Sequence, residues 1–249
     1  MMHHLLASGS LPNLLLIVLA AFVAALVSGI AGFAFAAVAA ALMLPLASAD
    51  VIVPLILVGS IMTQTLSLLS VQRGINWQRL WPFLAAGVTG VPIGATLLRF
   101  TDPHAFRITI GLVLVAFSLH GLVRRQPQPV TFGGRAADAM AGLIGGTMGG
   151  YAGLSGIVPT IWCGARAWSR QEQRGVYQPF ILIVQAFALA YGGAAGLFSS
   201  TSLVLVLLCS PAFLAGTLSG LWVFGRLDER RFRTVVLLLL LGSGAALLL

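Results

Sequence analysis

Residues 12–47, PNLLLIVLAAFVAALVSGIAGFAFAAVAAALMLPLA, decide how the rest of the chain is read. As one straight helix this run would extend about 54 Å at 1.5 Å per residue, whereas the hydrocarbon core of a bilayer is roughly 30 Å thick. It carries Gly29 and Gly32 near its middle. A second long run, 136–165, has the same character, with Gly145, Gly146, Gly149, Gly150 and Gly153. Each run is therefore predicted to break at its glycines into two short helices, the pattern of discontinuous membrane helices.

Working outward, apolar segments occupy 12–47, 50–71, 79–98 and 106–123, and then 136–165, 176–197, 202–223 and 233–249. The chain of 249 residues is 59% hydrophobic and only 8% charged, too apolar for a soluble domain, which is about one quarter charged. Backbone groups in lipid must pair within the chain, so helices or a closed barrel remain. The runs are continuous, with five leucines in a row at 237–241, and lack the two-residue alternation of a barrel. The polar stretch Arg124 to Arg135, with Pro127 and Pro129, separates four segments from four.

The halves resemble each other. Residues 28–33 match 145–150, and Gly90, Gly94, Asp102, Phe106 and Arg107 match Gly216, Gly220, Asp228, Phe232 and Arg233 at one constant offset. Gln64 and Gln185 occupy similar places in the second apolar run of each half. The expected fold is an all-α polytopic transmembrane protein of two inverted repeats. Each repeat has a glycine-broken first segment plus three further helices: a first repeat over 1–125, a basic linker over 126–135 and a second repeat over 136–249.

Charge supports that division. With the linker arginines on the cytoplasmic side, and the broken run of the second half entering and returning, Arg166, Arg170 and Arg174 fall on the same side, as do Arg226, Arg230 and Arg231. Arg73 and Arg79 follow, while Arg99 and Arg107 fall outside. Both termini then lie outside, and five segments per half make the repeats inverted. The net charge of +8 is thus topological, and no nucleic-acid partner is expected.

Enzyme chemistry finds little support. There is no phosphate-binding GxxxxGK[ST] loop, Ser155 lacks companions for a hydrolase triad, and no His or Cys pair has ligand spacing, so no catalytic residue, metal or cofactor is expected. Cys163 and Cys209 read as buried thiols. All six acidic residues lie in loops or at segment edges, which leaves the apolar interior compatible with an anionic substrate. Helix N-termini freed at the breaks favour an anion, and Gln64, Gln185 and the hydroxyl of Tyr151 could assist. For a lone glycine, close helix packing is the competing reading.

Ser28-Gly29-Ile30-Ala31-Gly32-Phe33-Ala34-Phe35 resembles the SGxxGFGF run of the sulfite exporter TauE/SafE family of membrane transporters. Gly149-Gly150-Tyr151-Ala152-Gly153-Leu154-Ser155-Gly156-Ile157-Val158-Pro159 is similar to that family's second, proline-terminated run. Ala34 replaces a glycine and Ala41 a common proline, which implies a less sharp first break. The resemblance implies a multi-pass protein of the bacterial inner membrane that carries a small anion such as sulfite, a sulfonate or a related organic acid. The candidate substrate-binding residues are Gly29, Gly32, Phe33, Gln64, Gly149, Gly150, Tyr151, Gly153, Ser155 and Gln185. Partners are the anion and the lipid bilayer, with homo-oligomerisation left open. A passive anion channel and a non-transporting scaffold subunit are the alternatives.

Overall fold

The computed structural model describes residues 11–70, 75–123, 130, 132–166, 168–223 and 229–248. They form helices α1 (Leu11–Ala31), α2 (Phe35–Met43), α3 (Ala49–Ser70), α4 (Trp77–Phe100), α5 (Pro103–Val123), α6 (Gly134–Ala152), α7 (Ile157–Ala165), α8 (Arg170–Ala194), α9 (Thr201–Val223) and α10 (Glu229–Leu248), with no strand among them. Six of these, α1, α3, α4, α5, α8 and α9, are long and apolar enough to cross a membrane. The protein is an all-α, multi-pass membrane protein. Large apolar side chains face outward: Leu203, Leu207, Trp222 and Leu112 are exposed, while Ser28, Gln64, Ser155, Gln178 and Gln185 are buried. In water that distribution would be unfavourable; in lipid the exposed leucines meet like surroundings.

Helix starts are fixed by side chains that accept the unpaired first-turn N–H groups. Asn76 accepts from the Arg79 amide at the head of α4, and Asp102 accepts from the amides of His104 and Ala105 at the head of α5. At the head of α8, Ser169 and Glu172 form a reciprocal capping box.

The tightest helix pairs join the two halves. Helix α4 lies on α6, and α1 lies on α9. Both seams are lined with glycine. Gly146 sits against the backbone of Gly87, and Gly29 against Thr217 and Gly220, so close that backbones touch where side chains would otherwise intervene. Gly216 meets Phe22 and Leu26 while Gly220 meets Leu26 and Gly29, so α1 and α9 run the same way; Gly142, Gly146 and Gly150 meet Phe83, Gly87 and Val91 in order, so α4 and α6 do too. Gly111 faces Gly244 and Gly121 faces Leu237, which makes α5 and α10 antiparallel.

Both long runs break, though not into two short helices. The first member is 21 or 19 residues long and only the second is short, at 9 residues. The break in the second half is also later than its first glycines: Gly145, Gly146, Gly149 and Gly150 lie within α6, and the chain turns at Gly153. The breaks therefore equate Gly32 with Gly153 and residues 28–33 with 149–154, one helical turn away from the register expected above. The matches at Asp228, Phe232 and Arg233 lie where position or side chain is outside the described residues.

Candidate functional site

At the first break Gly32 has φ +84°, a left-handed conformation that an L side chain adopts only under strain, and its N–H donates to the Ser28 carbonyl at 2.6 Å. The chain restarts at Phe35 behind Ala34, whose φ of −83° suits any residue, so alanine in place of glycine there does not blunt the break. At the second break Gly153 has φ +74° and α7 restarts behind Gly156. Neither short helix has a side-chain cap at its N-terminus. The second hairpin closes on itself, since Arg166 at the end of α7 donates to the Gly134 carbonyl at the start of α6.

Glutamines hold both turns. The Gly32 carbonyl accepts from Gln64 Nε2 at 3.3 Å and from Gln178 Nε2 at 3.2 Å, and the Gly153 carbonyl accepts from Gln185 Nε2 at 2.5 Å. Such bonds satisfy carbonyls that the ending helix leaves without an intrahelical donor. Gln64 and Gln178 reach Gly32, whereas Ile56, Leu57 and Gln185 reach Gly153, so α3 and α8 pass each other antiparallel. The breaks also touch: a Cβ on Gly156 would stand 3.7 Å from the Phe33 carbonyl oxygen. Around them, Ser28 Oγ, Ser155 Oγ and the Oε1 atoms of Gln64, Gln178 and Gln185 are buried with no partner in the protein.

The structure thus brings Gly32, Phe33, Gln64, Gly153, Ser155 and Gln185 to one junction. The four other expected residues do not open onto it. Gly29 packs against α9, Gly150 against Val91 and Ala95, and Gly149 against Ser155 and Val184, so their open faces are taken by neighbouring residues. Tyr151 turns to the other side of α6, where it packs on Phe106 at 5.2 Å and lines a cavity of about 460 Å³ between α4, α5 and α6. That cavity runs from Thr101 and Ala105 to Ala152 and Leu154 beside the second break. The hydroxyls of Thr101, Thr109 and Thr147 there donate to carbonyls of their own helices.

Two residues at the junction escaped sequence reasoning. Gln178 lies seven residues before Gln185, and Arg174 four before Gln178, so all three share one face of α8. That polar stripe was the available signal; Arg174 was instead absorbed into the count of cytoplasmic charge. Arg166 is likewise more than a topological marker. It pairs with Asp138 at 2.9 Å, lies over the Trp162 ring, and is largely buried, while Trp162 Nε1 donates to the same carboxylate at 2.7 Å. On α4, Arg79 pairs with Glu172 and lies over Trp168.

The family model described as sulfite exporter TauE/SafE matches residues 17–247. No curated protein and no solved structure matches the chain. The match takes in both breaks and every described helix but the ends of α1 and α10, and the chain belongs to the sulfite exporter TauE/SafE family of membrane transporters.

Proposed function

We propose that this protein is a secondary transporter that binds a small anion, such as sulfite, a sulfonate or a related organic acid, at the meeting point of its two breaks and carries it across the bacterial inner membrane. The observation that carries this reading is the pair of uncapped helix N-termini, at Phe35 and Ile157, together with the buried and unpartnered hydroxyls of Ser28 and Ser155. An anion at a helix N-terminus is stabilised by about 0.3–1 kcal/mol at exposed sites and by up to ~2 kcal/mol in partly buried ones. Two such termini at one junction add to this.

Alternating access in this reading follows from rocking of two inverted repeats, 1–125 and 136–249, about a shared site. Opposed directions support it: α3 against α8 and α5 against α10, helices at corresponding places in the two halves, are antiparallel. Positions of Arg79, Arg135 and Arg166 at one end of the bundle fit a cytoplasmic face there.

Flux of sulfite, methanesulfonate and small carboxylates into proteoliposomes tests the proposal. A transporter gives saturable flux. Replacing Ser155 by Ala, which removes only a hydroxyl without a protein partner, lowers apparent affinity roughly tenfold or more, the worth of a hydrogen bond to a charged group. Unsaturable flux would indicate a channel, and no flux of any of these anions a scaffold.

A further inference from the structure

The two breaks are built alike and furnished differently. Gly32 and Gly153 are 121 residues apart, and so are Gln64 and Gln185; the same offset sets Arg174 and Gln178 of α8 opposite Val53 and Leu57 of α3. A Cβ on Gly32 would stand 3.1 Å from Gln178 Nε2 and 3.4 Å from Arg174 Nη2. A Cβ on Gly153 would meet Ile56 Cγ2 at 2.8 Å and Leu57 Cδ2 at 3.7 Å. One break therefore has a guanidinium and an amide against its turn. The other has branched aliphatic side chains beside the Gln185 amide.

We infer that the site takes a monoanion in a fixed orientation, its oxyanion head at the first break under Arg174 and Gln178 and its uncharged remainder toward the second break. This rests on the reading of the breaks as the anion site. A guanidinium offers several N–H donors in a plane, matched to a sulfonate or carboxylate group. A second negative charge at the far end would sit against Ile56 and Leu57, where the neutral donors of Ser155 and the α7 N-terminus repay less of its lost hydration than a guanidinium does. Dianions such as sulfate are thereby rejected, and short organic monoanions accepted.

Titration calorimetry of the detergent-solubilised protein at constant ionic strength, with methanesulfonate and with sulfate, tests this. Methanesulfonate is expected to bind at least tenfold more tightly than sulfate. Arg174→Gln should weaken methanesulfonate at least tenfold, with Arg174→Lys retaining part of the affinity. Gln178→Leu, which installs the residue found at the corresponding place in the other half, should weaken it as well and serves if Arg174→Gln does not fold. Equal affinity for the two anions, or unchanged methanesulfonate binding in both folded variants, overturns the inference and leaves the breaks as an anion site. Binding of neither anion overturns both readings together.

Discussion

Replacing Gly32 by alanine adds one methyl group where the backbone stands at φ +84°. The left-handed conformation costs an L residue about 1–2 kcal/mol. The new Cβ would also lie 3.1 Å from Gln178 Nε2, closer than ordinary contact, and the amide must shift from the Gly32 carbonyl it serves at 3.2 Å. Losing or stretching that bond costs about 0.5–1.5 kcal/mol. Together these give about 1.5–3.5 kcal/mol, which at roughly 2–4 °C per kcal/mol for a chain of this size lowers the melting temperature by about 3–14 °C. The control is Gly193→Ala, within α8, where nothing lies within 4 Å and φ is not positive; alanine there should be neutral or slightly stabilising. Thermal unfolding of both variants in one detergent checks the difference. If Gly32→Ala and Gly193→Ala melt together, the left-handed turn is not what forms the break and the reasoning fails.

Other perturbations follow from the same contacts. Gly146→Ala would drive a methyl into the Gly87 backbone, whose carbonyl carbon would be 2.6 Å away, and should destabilise by about 3 kcal/mol, read as a fall in melting temperature, because neither helix can yield locally. Asp138→Ala strands Arg166, whose side chain is only 10% exposed, and should cost about 3–5 kcal/mol in thermal unfolding, whereas Arg79→Ala removes a pair that reaches water and should hardly move it. The amides of Ala105 and then His104 hold the Asp102 carboxyl below its ordinary value of 3.8. A lowered folded-state pKa contributes stability above that ordinary value and loses it as pH falls through the lowered one. The stability gap between parent and Asp102→Ala, followed by melting temperature against pH, should accordingly close under acid conditions; a gap independent of pH would contradict the cap.

Element positions were legible because lipid leaves so few options. The segment expected at 50–71 is Ala49–Ser70, and that at 202–223 is Thr201–Val223. What periodicity could not supply was the choice among glycines spaced three or four apart. Gly145, Gly146, Gly149 and Gly150 look like breaking residues, yet Gly146 and Gly150 face other backbones, Gly145 and Gly149 face Pro159, Ser155 and Val184, and of these and Gly153 only Gly153 takes a positive φ. Composition cannot tell a glycine that turns the chain from one that lets a neighbour approach, since both need a missing Cβ. The glutamines show the same limit. Gln64 and Gln185 stood out as polar residues at depth, but that their amides are spent on the Gly32 and Gly153 carbonyls depends on contacts 32 residues away in each case. Arg174 was hidden by its nearness to a loop.

The exchange of partners between halves bears on how the chain is made. Helix α1 leaves the ribosome well before α9, yet the glycine seam it packs with belongs to α9, and until Thr201–Val223 has been synthesised Gly29 lacks the backbone it lies against. Insertion therefore cannot proceed as two modules maturing in turn. Either half expressed alone would present an unmatched glycine seam, and a gene cut at the linker should yield working protein only when both fragments are produced in the same cell.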